Sequence, residues 1–127
     1  MIHVPVSVGE LIDKLSILHV KQTKITNEEK LEYINKEFEL LYNMSSGYFE
    51  KPEIESLYHQ LVETNGKLWD IEDKLRVLEF EKKWEGEFVE LARKVYFTND
   101  TRFELKNEIN KFTDSEIREV KEYVKYK

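Results

Sequence analysis

The sequence predicts an all-α fold: an antiparallel bundle of about five helices, preceded by a short extended N-terminal segment. Apolar residues recur three and four positions apart along nearly the whole chain, as they do on one face of a helix. The 127 residues include only four glycines and two prolines, too few for the many tight turns of a β protein. This length suits one core, so we expect residues 1–127 to form a single helical domain.

The chain opens with the extended segment and the first helix. Pro5 disfavours a helical conformation at Val4, and the branched residues around it favour an extended one. Ser7 followed by Glu10 forms a capping box, the pattern that begins a helix. The apolar side of this helix consists of Leu11, Ile12, Leu15, Leu18 and Ile25.

The second and third helices are separated by the loop "NMSSGYFEKPE", residues 43–53. A second capping box, Thr26 to Glu29, begins the second helix. Its apolar side consists of Leu31, Ile34, Phe38 and Leu41. Pro52 suits the first turn of the third helix. The apolar side of that long helix consists of Ile54, Leu57, Leu61, Leu68, Ile71, Leu75 and Leu78. Gly66 lies inside this pattern and indicates either close packing or a local break.

The last two predicted helices follow Gly86, which separates the third helix from the fourth. One face of the fourth helix carries a heptad-like series: Phe88, Ala92, Val95, Asn99, Arg102, Lys106 and Ile109. The segment "FTDSE", residues 112–116, then begins a short fifth helix. The apolar side of that helix consists of Ile117, Val120 and Val124.

Composition and charge narrow the classes of function. The absence of cysteine excludes disulfides and thiolate metal sites and fits a reducing compartment, so we expect a cytoplasmic protein. A net charge of −6 opposes broad binding to nucleic acids or anionic membranes, which require an electropositive surface. No apolar run reaches the length of a signal peptide or the roughly 18 residues of a spanning helix. We therefore expect neither nucleic acid nor a membrane as a partner.

Three of the predicted helices carry a polar patch beside their apolar face. The residues on this side are Glu10, Asp13, Lys14, Ile17 and Lys21 on the first helix, Asn65, Trp69, Glu72, Asp73 and Arg76 on the third, and Asn99, Arg102 and Lys106 on the fourth, flanked by Tyr96 and Asp100. Antiparallel packing would bring these patches together. Buried charge is costly unless it is paired or ligated, so their convergence would indicate a polar site or a buried network.

An ordinary structural interpretation also fits the central segment "LWDIEDKLR", residues 68–76. Charged residues make up 36% of the chain, so many polar groups border an apolar face by chance. Glu72 and Arg76 are four residues apart, the usual spacing of a helix-stabilising ion pair. Trp69 is then a core or interface anchor.

Two enzyme classes offer alternatives. Glu10–Asp13 and Asp70–Asp73 each place two carboxylates on one helix face, which suits Mg²⁺. All-helical nucleotide pyrophosphohydrolases carry an ExxE pair before an ExxD pair, whereas here the ExxD pair comes first. The basic residues resemble the clamp with which helical chorismate mutases hold a small dicarboxylate, although the signature arginines of the first helix are missing. The residues of this clamp would be Lys14, Arg76, Arg93 and Arg102.

Three segments of the chain resemble an uncharacterised family of small, all-helical bacterial and phage proteins. The segments are "VPVSVGELIDKLSILHVK", "NGKLWDIEDKLRVLE" and "ELARKVYFTNDTRFELKNEIN". They match, in order, the VPVS-GELIDK, LWDIED and VY-TND-R segments of that family, known only as a domain of unknown function. The matching positions are Glu10, Asp13, Lys14, Trp69, Asp70, Glu72, Asp73, Arg76, Tyr96, Asn99, Asp100 and Arg102. The resemblance implies that the three patches belong together, and it implies no activity.

The leading hypothesis is an inter-helix polar site that binds a small anionic or phosphate-containing ligand. In this hypothesis basic side chains hold the anion, aromatic rings form walls and an amide orients the ligand. The ligand-binding candidates are Lys14, Trp69, Arg76, Tyr96, Asn99 and Arg102. Four carboxylates are candidate Mg²⁺ ligands or acid–base groups: Glu10, Asp13, Glu72 and Asp73.

The rival hypothesis is a non-enzymatic protein-interaction module in which the polar cluster is a structural lock. An apolar helix face would then meet a partner, and the long third helix leaves room for a homodimer. A concave cleft lined by the candidate residues would favour the ligand site. Mutually satisfied ion pairs without a cavity would favour the lock.

Overall fold

The computed structural model covers residues 1–127 and is all-helical, as predicted, with no β-strand. A 3₁₀ helix joins the second of its four α-helices to the third. These elements are α1 (Val8–Lys24), α2 (Glu28–Ser45), the 3₁₀ helix (Ser46–Glu50), α3 (Pro52–Phe80) and α4 (Glu87–Phe112). None of the helices combines the length and the apolar character needed to cross a lipid bilayer.

Local side-chain contacts set the first residues of the helices. Ser7 caps α1, as predicted, because its hydroxyl oxygen accepts a hydrogen bond from the Glu10 amide at 3.0 Å. The second predicted capping box is wrong by one residue, since the cap of α2 is Asn27 and not Thr26. The Asn27 side chain accepts from the Lys30 amide at 2.9 Å, and asparagine is at least as good a cap as threonine.

Gly66 neither breaks α3 nor marks a close contact. The helix continues without interruption from Pro52 to Phe80. A Cβ atom at Gly66 would meet nothing within 4 Å. Both sequence-based explanations for this glycine are therefore wrong.

The predicted fifth helix is absent, because α4 ends at Phe112 and residues 113–127 form a non-helical C-terminal tail. Asp114, the second residue after α4, has a positive φ of 51°, which turns the chain away from the helix axis. The Lys121 ammonium then lies 2.7 Å from an Asp100 carboxylate oxygen, and the Tyr126 hydroxyl donates to the other oxygen. Contacts with α4 thus replace the hydrogen bonds that a terminal helix would make within itself.

The core lies where α1 packs on the hairpin formed by α3 and α4. Its buried residues come from these three helices: Ile12, Leu15, Ile54, Tyr58, Leu61, Leu105 and Ile109. Helix α2 packs against α1 and the 3₁₀ helix. The α3–α4 hairpin is therefore the platform on which α1 is positioned.

Helix α1 begins in direct contact with α4. The Gly9 amide donates a hydrogen bond to Oδ1 of Asn110 at 2.7 Å. A Cβ atom at Gly9 would overlap the backbone carbonyl oxygen of Lys106. Only glycine permits this close approach. The contact holds the N-terminus of α1 against α4.

We predict opposite effects of alanine at two helical glycines. Gly9→Ala should destabilise the fold by about 1–3 kcal/mol, because the methyl group forces α1 away from α4. Gly66→Ala should stabilise it by about 0.5–1 kcal/mol, because alanine costs less backbone entropy in an open helical position. Urea unfolding followed by circular dichroism measures both changes. If the Gly9→Ala variant unfolded at the same midpoint urea concentration as the wild type, the close approach of α1 to α4 would be contradicted.

Candidate functional site

A buried ion pair joins α1 to α4. Asp13 has no solvent-exposed surface, and its two carboxylate oxygens face the guanidinium of Arg102. Nε of Arg102 donates to Oδ1 at 2.9 Å, and Nη2 donates to Oδ2 at 2.6 Å. Two parallel charge-assisted hydrogen bonds of this kind are strong and fix the orientation of both groups.

Two further side chains complete the hydrogen bonding of Asp13. The Asn65 amide nitrogen on α3 donates to Asp13 Oδ1 at 3.0 Å and to the Ser16 hydroxyl oxygen at 2.8 Å. Ser16 in turn donates to the Asp13 carbonyl oxygen at 2.5 Å. We call Asp13, Ser16, Asn65 and Arg102 the buried junction. No buried polar side-chain atom in the molecule lacks a partner, so the junction meets the condition under which a buried charge is tolerated.

Arg102 uses only part of its hydrogen-bonding capacity inside the junction. Its guanidinium carries five N–H donors, of which two bind Asp13. The side chain is 28% exposed, so its outer edge reaches solvent. The hydrogen bonds that Arg102 donates to Asp13 raise the pKa of Arg102, against the opposing effect of burial. Arg102 therefore stays charged, with one edge held by the protein and the other available.

An open cleft of about 490 Å³ lies over this outer edge, between α1, α3 and α4. Its lining combines apolar side chains with charged and amide groups, as small-molecule sites do. The lining residues are Ile17, Val20, Asn65, Leu68, Trp69, Glu72, Asp73, Arg76, Asn99 and Arg102.

Most polar side chains of the cleft have no partner within the protein. Glu72, Asp73, Arg76 and Asn99 make no hydrogen bond or ion pair through their side chains, and the indole N–H of Trp69 donates to nothing. The predicted ion pair between Glu72 and Arg76 is therefore not formed. These groups are free to bind a molecule in the cleft.

The six ligand-binding candidates divide between the cleft and other surfaces. Trp69, Arg76, Asn99 and Arg102 line the cleft. Lys14 lies elsewhere and forms an exposed ion pair with Glu37 of α2 at 3.2 Å. Tyr96 packs against Tyr126 of the C-terminal tail, with ring centroids 5.1 Å apart. Lys14 and Tyr96 thus hold other parts of the chain and do not line the cleft.

The four metal-ligand candidates are also separated. Asp13 is bound by Arg102, and Glu10 lies 3.0 Å from the ammonium of Lys106, so a cation of the protein already accompanies each. Glu72 and Asp73 line the cleft. No group of three or more aspartate, glutamate, histidine or cysteine side chains comes together as a metal-binding set. The magnesium expectation stays a prediction, and only Glu72 and Asp73 remain without a protein cation.

Lys106 forms a second buried cation on α4, one turn after Arg102. Its ammonium lies 3.0 Å from Glu10 on α1 and 2.7 Å from Glu119 in the tail. Burial opposes its charge, but the hydrogen bonds to Glu119 and Glu10 outweigh burial and raise the pKa of Lys106. This residue therefore connects α1, α4 and the tail in one charged contact.

Several residues at the site were not proposed as site residues from the sequence. Ser16 lies three positions after Asp13, which puts both on one face of α1, and this spacing was the available signal. Asn65 was placed in the patch of α3 but was given no role. Ile17 and Val20 form the apolar wall of the cleft. The sequence placed Ile17 on the patch side of α1 without a role, and nothing in the spacing of Val20 distinguishes it from a core residue.

Comparison with known proteins gives one match. The model of a family described as "Family of unknown function (DUF6165)" matches residues 2–126. The chain belongs to this family. No curated protein and no solved structure matches the chain. Membership of DUF6165 confirms the expected relation to an uncharacterised family and assigns no activity, so the site of this DUF6165 chain must be interpreted from its geometry.

The tail of the DUF6165 chain is held by Asp100. Hydrogen bonds from Lys121 and then Tyr126 hold the pKa of Asp100 below its ordinary value of 3.8, and the bond to Asp100 raises the pKa of Tyr126 to about 12. The ionised Asp100 therefore stabilises the attached tail fully above pH 3.8, and this stabilisation is lost as the pH falls through the lowered pKa of Asp100.

We predict that Asp100→Asn loosens the tail at neutral pH, because the substitution removes the ion pair with Lys121. Tryptic cleavage in the tail should accelerate by about two- to fivefold, the small effect typical of an exposed pair. Asp70→Asn is the matched control, since Asp70 pairs with Lys24 and does not contact the tail. Equal cleavage rates in the two variants would show that Asp100 does not retain the tail.

We predict that Arg102→Met destabilises the fold by about 3–5 kcal/mol, because it leaves the Asp13 carboxylate buried without a cation. Adding Asp13→Asn should recover part of the loss, since no unpaired charge then remains. Lys94→Met on the exposed side of α4 is the control, and its effect should stay within about 0.5 kcal/mol. Chemical denaturation measures all three, and a loss below about 1 kcal/mol for Arg102→Met would refute the junction's role.

Proposed function

We propose that this protein binds a small molecule carrying one carboxylate or phosphate group in the cleft above the buried junction. One observation carries the proposal: Arg76 and the outer edge of Arg102 line the same cleft as an indole ring, and the donors there have no partner in the protein. Guanidinium groups bind carboxylates and phosphates through paired hydrogen bonds. Asn99 and the Trp69 N–H supply neutral donors beside them.

The balance of charge in the cleft restricts the ligand. Asp13 already offsets the charge of Arg102, and the cleft also carries the carboxylates of Glu72 and Asp73 against Arg76. A polyanion would meet repulsion from these two carboxylates. A ligand with a single anionic group and one or more hydroxyl or amine donors satisfies both signs of charge.

The apolar side of the cleft suits the body of such a ligand. Trp69 offers a ring face for stacking, and Ile17, Val20 and Leu68 supply apolar contacts. A volume of about 490 Å³ lies within the range of small-molecule sites. Mg²⁺ belongs to this proposal only as an ion carried with the ligand and held by Glu72 and Asp73. The proposal concerns binding and assigns no reaction.

A second candidate is a non-enzymatic interaction module, proposed in a reducing, cytoplasmic setting on the basis of the cysteine-free composition. Its support is that every buried polar side-chain atom of the buried junction has a hydrogen-bond partner, as a structural lock requires. The two candidates make different demands on Arg76. A structural lock does not require the unpaired side chain of Arg76, whereas a site for an anionic ligand requires a free cation of this kind.

The test of ligand binding is a thermal-shift screen with small carboxylates, sugar phosphates, nucleotides and sugar nucleotides, each with and without Mg²⁺. We expect a compound with one anionic group to raise the melting temperature of the wild type. Arg76→Ala and Trp69→Leu should each weaken its affinity about tenfold or more, as loss of a charged hydrogen bond or a stacking contact does, with the fold unchanged.

Two matched controls exist in the same chain. Arg93→Ala and Trp84→Leu remove the same side-chain types from exposed positions outside the cleft, and both should retain wild-type affinity. A screen in which no compound raises the melting temperature would refute the ligand site. So would a shift that survives in both cleft variants.

A further inference from the structure

The face of α4 that contacts α1 extends beyond the end of α1. Arg102 and Lys106 on this face bind Asp13 and Glu10 of α1. The same face continues toward the start of α4 through Asn99, Val95, Ala92 and Phe88, at spacings of three and four residues. Helix α1 ends at Lys24, whose ammonium lies 2.8 Å from the Asp70 carboxylate of α3. We call the part of the hairpin beyond this ion pair and beyond the cleft, residues 77–98, the arm.

No other helix of the chain covers the arm, and the tail touches only its last residues, where Tyr126 packs on Tyr96 and Phe97. Helix α2 packs on α1 and the 3₁₀ helix. Within the arm only Leu78 is buried. Its large exposed apolar side chains outside the tail contact are Val77, Phe80, Trp84 and Val89, between 49% and 89% exposed. Beyond α1 the apolar surface of the hairpin therefore continues without a partner.

The accessible surface of the whole chain is larger than that of a compact monomer. The chain exposes 9326 Å² at a mass of 15.4 kDa. A compact monomeric protein of this mass exposes about 7,200 Å². The excess, about 2,000 Å², is shared by the arm and the extended chain ends. It is more than twice the roughly 800 Å² that a standard interface removes from each partner.

The charges of the arm permit it to meet a copy of itself. The arm carries four basic and five acidic residues, interspersed along its length, and is nearly neutral. The chain as a whole carries a net charge of −6. Two copies would therefore repel one another little along this surface, and the mixed signs allow ion pairs between the copies.

We propose that a second copy of this chain covers the arm, with the two arms packing about a two-fold axis into a four-helix bundle. In this arrangement each arm presents the same surface to the other, as a two-fold interface requires. The partner's arm occupies the surface that α1 would cover if it were longer. The side of α4 that carries Val89 and Ala92 lies in the interface. The four-helix bundle buries apolar side chains that a hairpin of two helices leaves exposed.

The first test is the mass in solution, measured by light scattering during gel filtration. We expect the wild type to have twice the monomer mass of 15.4 kDa. Phe80→Glu and Val89→Glu should each shift the protein to the monomer mass and leave the helical circular dichroism signal unchanged. Tyr33→Glu and Val120→Glu place the same charge at exposed apolar positions outside the arm and should leave the mass doubled. A wild-type monomer, or arm variants that remain dimeric, would overturn the proposal.

A second test does not depend on how well the charged variants fold. The chain has no cysteine, so a single introduced cysteine is a specific probe. Val89→Cys or Ala92→Cys should be cross-linked into a covalent dimer by a short bis-maleimide, whereas Tyr33→Cys should stay monomeric. A helix from a different protein as the natural occupant would leave all three variants uncross-linked, and this result would also overturn the proposal.

Discussion

The buried ion pair between Asp13 and Arg102 sets the position of α1, and much of the remaining structure depends on it. The carboxylate is fully enclosed and held by two parallel hydrogen bonds, so α1 cannot rotate about its axis without leaving a charge unpaired. The amide of Gly9, one turn earlier, donates to Asn110 and fixes the same helix along its length. These two contacts decide which residues of α1 face the core and which face the cleft. Ile17, four positions after Asp13, reaches the cleft wall for this reason.

Arg102 connects the stability of the fold with the proposed binding site. Its inner edge is held by Asp13, and its outer edge faces the cleft. A guanidinium fixed in this way loses little conformational freedom when a ligand binds, which favours affinity. The structural lock and the ligand site are therefore not exclusive alternatives here. Asn65 and Arg102 of the buried junction line the cleft together with the groups without partners, Glu72 and Arg76 among them.

A difference in helix length explains why the hairpin carries both a cleft and an uncovered arm. Helix α1 has 17 residues, whereas α3 and α4 have 29 and 26. Near the end of α1 the three helices leave the cleft between them, and beyond it the hairpin has no third helix. Polar side chains remain free in the first region and apolar side chains in the second. The first region suits a small ligand, and the second suits a second copy of the chain.

The sequence alone determined the all-α class, the cap at Ser7 and the continuation of an apolar helix face into Asn99 and Arg102. These features follow from local chemistry and from helical periodicity, which neighbouring residues specify. Only the tertiary structure decided that Trp69 and Arg76 share a cleft with Arg102, while Lys14 binds Glu37 and Tyr96 packs on the tail. Periodicity places a residue on a face of its helix, but the rotation of each helix against its neighbours decides what that face meets. The prediction of a fifth helix was wrong because it also took no account of contacts between residues distant in sequence. Ion pairs to Asp100 and Lys106, distant in sequence from the tail residues that make them, stabilise an extended tail where the local pattern favours a helix.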